Sequence, residues 1–283
     1  MAKEQQNRIS TAQALTSDER FWRVLLYVTS ALVLFFLMTP ILAIIPLSFN
    51  SGTFLTYPLD GLSLRWYHEF LASEQWTRAL KNSLIIGLSS AGLATILGTM
   101  AALGLTRADF RGKGLVMAIL LSPMIVPVVI TAVGFYFFFA PLGLTASYTG
   151  LILAHTALGT PFVVITVSAT LQGFDESLAR AAASLGANPV VAFFRVILPL
   201  IAPGVFSGTL FAFATSFDEV VVVLMVAGPE QRTLPREMFS GLRENLSPTI
   251  TAVATIMILF SVAMLTSLEF LRRRNEALRG IRS

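Results

Sequence analysis

The chain has 283 residues, of which 55% are hydrophobic and 13% are charged, roughly half the charged share of a soluble domain. Its formal net charge is +4, and it contains no cysteine, which excludes disulfides, thiolate metal sites and a cysteine nucleophile. This composition is typical of a protein embedded in a membrane.

Six stretches carry almost no charge and are long enough to cross about 30 Å of hydrocarbon as helices. Backbone polar groups in lipid must be bonded within their own element, and these stretches are too long for barrel strands. We therefore expect an all-α polytopic membrane protein with six transmembrane helices. The predicted spans are 24–47, 82–106, 115–139, 151–171, 196–217 continued by 220–227, and 250–268.

Lys and Arg residues are distributed unequally between the two sides of these spans. Fourteen lie in the two tails and in the second and fourth connections, and six lie in the other connections. The positive-inside rule therefore predicts cytoplasmic N- and C-termini. The predicted organisation is a cytoplasmic tail (1–23), a transmembrane domain (24–271) and a basic cytoplasmic tail (272–283). The same bias accounts for the positive charge, so we expect no nucleic-acid partner.

The two longer connections on the predicted outer side have different patterns. In 49–81, aromatic and apolar residues alternate with charges, which favours a short helix with its rings at headgroup level or a docking surface for a soluble partner. In 228–247, acids and bases surround an amphipathic stretch, which favours a solvated hairpin or contact with a substrate-delivering protein. The aromatic and apolar residues of the first connection are Trp66, Tyr67, Phe70, Leu71 and Trp76.

Small residues and prolines mark the second, third and fourth spans. Span two is rich in Gly, Ala and Ser, which allow close approach of membrane helices, so we expect it inside the bundle. Pro123 and Pro127 in span three, and Gly159 and Pro161 in span four, predict kinks.

The fourth connection, 173–199, predicts two short helices at the cytoplasmic surface. Asp175 is a candidate N-cap, and Gly186 stands where the first helix should stop. Asn188 and Pro189 then form a cap followed by proline at the first helical position, which begins a second helix.

This connection resembles the EAA loop of permease subunits of ABC-type importers. The resemblance lies in Ala181-Ala182, three residues, Gly186, nine residues and Val196-Ile197-Leu198-Pro199, and it extends over about 22–274. It implies a coupling loop seated in a cytoplasmic ATPase that binds ATP and Mg²⁺, since this chain has no GxxxxGK[ST] motif and no cofactor is expected in it. The coupling residues implied are Arg180, Ala181, Ala182, Leu185, Gly186, Asn188, Pro189, Leu198 and Pro199.

Two positions depart from the family pattern. Val196 replaces the family's Ile, which changes little, whereas Arg180 replaces the leading Glu and reverses a charge at the docking face. Glu176 lies four residues before Arg180, a spacing at which the two side chains can pair on a helix.

Within this family, SLRWYHEF in the first outer connection and SFDEVVV, GP and TLP around span five look most like spermidine/putrescine-type permeases. That resemblance implies a subunit of the bacterial inner membrane that carries a small cationic solute, a polyamine or alternatively an amino-acid-like solute such as 4-aminobutyrate. The partners implied are a second homologous permease, two ATPase subunits and a periplasmic substrate-binding protein.

Asp218 and Glu219 interrupt the otherwise apolar fifth span. Asp218 lies nineteen residues after Pro199, about 28 Å along a helix, which places the pair in the outer half of the membrane. Ser216 and Glu219 match a capping box, which predicts a helix that stops and restarts here. Both acids are candidates for the substrate path. Adjacent helical residues point about 100° apart, so we expect different roles, with Glu219 closing the cap and Asp218 nearer the path.

Three titratable side chains, Asp218, Glu219 and His155, also raise alternative functions. His155, far in sequence from His68 and without metal-ligand spacing to it, suggests either a proton relay or a histidine bonded to a neighbouring helix. A self-sufficient ion-coupled transporter would use Asp218, Glu219 and His155 as titrating groups, but the chain shows no inverted repeat. An intramembrane enzyme would need convergent nucleophile and base motifs, which the sequence lacks.

Overall fold

The computed structural model describes residues 17–244 and 247–278. Residues 1–16 of the predicted N-terminal tail and 279–283 of the predicted basic tail lie outside the described residues. The described residues form a helical fold, with one isolated bridge between Asn50 and Leu62 and no strand. The α-helices are α1 (Ser17–Leu47), α2 (Arg65–Ala72), α3 (Glu74–Arg107), α4 (Lys113–Ile125), α5 (Val128–Phe139), α6 (Tyr148–Gln172), α7 (Glu176–Ser184), α8 (Pro189–Ala192), α9 (Leu198–Phe217), α10 (Val221–Val226), α11 (Leu234–Glu244) and α12 (Thr249–Leu278).

Five predicted spans correspond to long apolar helical segments. They are α1, α3, α6, α12, and the combination of α8 and α9 joined by a π-helical turn at Phe193–Ile197. The first helix begins at Ser17, seven residues before the predicted span, and α12 continues to Leu278, through the first part of the predicted basic tail. The all-helical prediction is confirmed for the described residues.

The third predicted span is not one continuous helix. It consists of α4 and α5, whose axes differ by 108°, so the described residues contain five candidate spans, or six if this bent pair counts as one. Pro127 has no N–H to continue α4, and its ring favours extended backbone at Val126, which has φ −72° and ψ 134°. The predicted kink at Pro127 is therefore a break. Pro161, in contrast, lies within an uninterrupted α6.

Three helices, α3, α6 and α9, pack together at the centre of the bundle. A Cβ at Gly98 of α3 would lie 2.7 Å from the Cβ of Val163, and one at Gly208 of α9 would lie 2.8 Å from the Val163 Cα. Glycine thus lets both helices approach α6 closely. Span two (α3) therefore lies inside the bundle, as expected, and α6 is the more buried of the two, with 67% of the residues in its most apolar stretch buried against 39% in α3.

Helix α1 lies at the edge of the bundle, with α12 as its neighbour. None of its most apolar stretch is buried within the chain. Its apolar surface is therefore left to lipid or to another protein.

We call the end of the bundle that carries α2 and α11 the α11 end, and the end that carries α7 and α8 the α7 end. At the α11 end, α2 packs inward: Trp66 and Phe70 are buried, and Trp66 Nε1 donates to the Asn50 carbonyl at 2.7 Å. The expectation that these rings lie at headgroup level is therefore wrong for Trp66 and Phe70, because the bundle itself covers them. Leu71 is exposed.

The expectation of a solvated hairpin at 228–247 is also wrong for its helical part. In α11, Leu234 and Glu237 are buried, and the Leu234 N–H donates to Ser83 Oγ of α3 at 2.8 Å. The Glu237 carboxylate accepts a hydrogen bond from Gln75 of α3 and lies 3.7 Å from Arg232 Nη1. These contacts fasten α11 to α3.

Candidate functional site

The acidic pair lies where one helix ends and the next begins. Helix α9 ends at Phe217, and the Asp218 N–H still donates to the Ala214 carbonyl at 3.1 Å. Helix α10 starts at Val221. The predicted stop and restart of the fifth span is therefore confirmed.

Glu219 caps the restarted helix. Its Oε1 accepts a hydrogen bond from the Val222 N–H at 2.9 Å, which satisfies one of the free N–H groups in the first turn of α10. A negative charge at this end also complements the helix dipole. The capping role predicted for Glu219 is thus seen in the structure.

Ser216, the other half of the predicted capping box, has a different role. It is buried inside α9, where its Oγ lies 2.7 Å from His155 Nδ1 of α6 and 3.0 Å from Ser90 Oγ of α3. Ser90 in turn donates to the Ile86 carbonyl at 2.7 Å. This chain of hydrogen bonds joins the three central helices just before the acidic break.

His155 belongs to this network and is itself buried. The interpretation of His155 as a side chain bonded to a neighbouring helix is supported by its contact with Ser216. Ser90 Oγ donates to Ser216 Oγ, and the direction of the hydrogen bond between Ser216 Oγ and His155 Nδ1 is set by the tautomer of the imidazole.

Asp218 differs from both of its polar neighbours. Its side chain is exposed, and within the described residues its carboxylate makes no hydrogen bond or ion pair. The two adjacent acids therefore have distinct environments, because Glu219 turns back to cap α10 whereas Asp218 does not. Asp218 is the one that is available to a ligand.

The far end of α10 is held by a residue that the sequence pattern did not single out. Arg236 of α11 donates from Nη1 to the carbonyls of Ala227 at 3.2 Å and Gly228 at 3.3 Å, directly after the last turn of α10. Partial burial lowers the pKa of Arg236, and the nearby positive charge of Arg232 acts in the same direction. No sequence motif marks this contact, because a surface arginine in an amphipathic stretch is common.

The second region of interest is the segment at the α7 end. Asp175 Oδ1 accepts from the Ser177 N–H at 2.8 Å, which confirms the predicted N-cap of α7. This hydrogen bonding to Ser177 stabilises the carboxylate and lowers the pKa of Asp175.

The two predicted boundaries that follow are also present. Gly186 has φ +83°, and the Gly186 and Ala187 N–H groups donate to the carbonyls of Ala183 and Ala182 at 2.9 and 3.0 Å, which is a Schellman motif. Asn188 Oδ1 accepts from Val191 N–H at 2.8 Å, and Pro189 is the first residue of α8. The segment therefore has a defined shape set by its own bonds.

Large apolar side chains are exposed on this segment. Leu185 is 89% exposed, and Leu178, Val190 and Phe194 are also exposed. Of the remaining predicted coupling residues, Ala181 and Pro199 are exposed, while Ala182 and Leu198 are half-buried. A soluble partner that covers this surface would remove apolar area from water.

Arg180 is exposed on the same segment. Within the described part of the chain, no ion pair within 4 Å joins it to Glu176, so the local neutralisation that the spacing suggested is not seen. The positive charge at the predicted docking face therefore remains available to a partner.

The two regions stay apart. Helix α9, twenty residues or about 30 Å long, separates the α7 end from the acidic break. Among the described residues, no cluster of three or more His, Asp or Glu side chains has the arrangement of a metal site.

Comparison with known proteins gives the following similarities. The family model described as "Binding-protein-dependent transport system inner membrane component" matches residues 94–277. The spermidine/putrescine transport system permease protein PotC of Haemophilus influenzae is 35% identical over 240 residues, which cover 85% of this chain and 93% of that protein. The putrescine transport system permease protein PotI of Escherichia coli (strain K12) is 36% identical over 244 residues, which cover 84% and 85%.

Two solved structures share the fold. A chain of a bacterial ABC transporter involved in the import of the acidic polysaccharide alginate has a TM-score of 0.71 at 16% identity, covering 92% of this chain and 98% of that chain. A chain of the bacterial alginate ABC transporter in complex with an alginate pentasaccharide-bound periplasmic protein has a TM-score of 0.66 at 18% identity, covering 90% and 96%.

Proposed function

This chain belongs to the family of binding-protein-dependent transport system inner membrane components, and we propose that it forms half of the path through which an ATP-driven importer carries a small cationic solute of the polyamine type. The observation that carries this proposal is Asp218, an exposed carboxylate at a break in a spanning helix. A carboxylate in the membrane costs about 3 kcal/mol unless it faces water or a cation. A cationic solute supplies such a counter-charge.

The proposed orientation follows from the charge distribution. Residues 24–271 form the transmembrane domain in the bacterial inner membrane, the α7 end faces the cytoplasm, and the α11 end faces the periplasm. In this orientation Asp218 and Glu219 lie in the outer half of the membrane.

The α7–α8 segment is proposed as the coupling element. Its exposed apolar side chains and its defined shape support docking into a cytoplasmic ATPase. The complete importer would contain a second permease subunit, two ATPase subunits that bind ATP and Mg²⁺, and a periplasmic substrate-binding protein. The exposed apolar surface of α1 offers area to lipid or to the second permease.

Uptake of labelled spermidine by the assembled importer in proteoliposomes tests the role of Asp218. We expect Asp218→Asn to reduce uptake at low spermidine concentration by about tenfold or more, because the loss of one charge-assisted contact costs roughly 1.5–3 kcal/mol. Assembly and basal ATPase activity should remain unchanged.

The matched control is Glu219→Gln, which keeps an oxygen that accepts from the Val222 N–H. We expect this neighbouring change to leave uptake within about twofold of the unaltered protein, since the cap is preserved. Unaltered uptake in Asp218→Asn would remove Asp218 from the path. If 4-aminobutyrate rather than spermidine is imported by the unaltered complex, the cargo is the amino-acid-like alternative.

A further inference from the structure

Helix α10 is held at both ends by charged side chains. Glu219 binds its first turn, and Arg236 binds the two carbonyls that follow its last turn. A negative charge at the N-terminus and a positive charge at the C-terminus both complement the helix dipole.

Because α10 is short, its placement depends strongly on contacts with residues outside the helix. Helix α10 has six residues, so few of its backbone groups are bonded within the helix. Its Val222 and Val223 side chains are fully buried, and the Ala146 N–H donates to the Val226 carbonyl at 2.8 Å. The side chains fix which face of α10 points inward, and the bonds at its two ends fix its position along its axis.

Arg236 joins α10 to a firmly attached element. It belongs to α11, which is fastened to α3 through the Leu234 N–H and the Glu237 carboxylate. A continuous series of contacts therefore leads from α3 and α11, through the Arg236 guanidinium, to α10 and to the acidic break at its start.

We infer that Arg236 is a positioning residue: by holding the Ala227 and Gly228 carbonyls, it sets the position of α10 and thereby that of Asp218. The importance of this position for transport rests on the proposed function, whereas the positioning itself does not.

Arg243 provides a matched comparison on the same helix. Its guanidinium lies 5.8 Å from the ring centroid of Phe239, and among the described residues it makes no hydrogen bond to α10. Replacement of Arg243 therefore removes a charge of the same type from α11 without releasing α10.

The experiment uses the absence of cysteine from the chain. In the assembled importer, Asp218→Cys introduces a single thiol into this subunit, and with partner subunits also free of reactive cysteine its reaction rate with a small methanethiosulfonate reagent reports its exposure. We expect Arg236→Met to change this rate by about fivefold or more, because both carbonyl contacts are lost. Both contacts come from the single nitrogen Nη1, so Arg236→Lys, whose ammonium group has three donors, should stay within about twofold, as should Arg243→Met.

A second variant covers the case in which Arg236→Met does not assemble. Arg236→Gln keeps an amide donor on a shorter side chain, so the labelling rate should lie between those of the protein with Arg236 and of Arg236→Met. Equal labelling rates in the Arg236 variants and the Arg243 control would overturn the positioning role, whatever happens to uptake.

Uptake measured with Asp218 intact separates this inference from the proposed function. A changed labelling rate with normal spermidine uptake in Arg236→Met would support positioning and contradict a role for Asp218 in transport. A changed rate together with an increased KM, restored by Arg236→Lys, would support both.

Discussion

At the α11 end, side chains fasten the connections to the bundle, whereas at the α7 end the connecting segment is shaped mainly by bonds within itself. Thr249 of α12 donates to Glu69 of α2, and α11 binds Ser83 and Gln75 of α3. The α7–α8 segment instead relies on Asp175 and Asn188, each of which caps its own helix. The first end thus contributes to the stability of the fold, and the second presents a preformed surface.

The largest effect should come from placing a charge at matched leucines of the two ends. Leu234 is 1% exposed and Leu185 is 89% exposed. We expect Leu234→Asp to lower the free energy of unfolding by roughly 3–5 kcal/mol, because an unpaired carboxylate would replace a buried side chain. Leu185→Asp should leave thermal unfolding unchanged but reduce co-purification of the ATPase. Equal loss of stability in both variants would show that the two ends do not differ in this way.

A smaller effect is expected from the turn at Gly186. Its φ of +83° disfavours any residue with a Cβ, so Gly186→Ala should cost about 1–2 kcal/mol in that turn and reduce ATP-driven uptake by about tenfold. Gly173→Ala is the control, since Gly173 has φ −93° and its added Cβ would approach no atom closer than 3.9 Å. Normal uptake and ATPase binding in Gly186→Ala would argue against the coupling role of this turn.

The smallest effect concerns the cap at Asp175 and its pH dependence. Because the folded-state pKa of Asp175 is lowered, its contribution to α7 is present above the ordinary carboxyl pKa and is lost as the pH falls through the lower folded value. Asp175→Ala should therefore speed hydrogen exchange of the Ser177 amide at neutral pH, and the difference from the unaltered protein should disappear in acid. A difference that persists in acid would contradict the capping role.

Features that depend on neighbouring residues could be predicted from the sequence. The caps at Asp175 and Asn188, the stop at Gly186 and the cap at Glu219 involve groups at most five residues apart. The long apolar stretches likewise predicted the helices, because backbone groups in lipid must be bonded within the same element.

The candidate site could be predicted only in part. The pattern placed Asp218 and Glu219 at a helix restart, but it assigned Ser216 to the cap. Ser216 instead binds His155, 61 residues away, and Ser90, 126 residues away. No local pattern distinguishes a serine that caps a helix from one that is bonded across helices.

The sequence by itself determined the helical class, the approximate spans and the local helix ends, because these depend on apolar length and on bonds between residues close in the chain. Only the tertiary structure decided that α6 is central, that Trp66 and Phe70 are covered, that the chain bends by 108° at Pro127, and that Arg236 holds α10. These features depend on which helices lie side by side, and many residue pairings are compatible with the same apolar pattern.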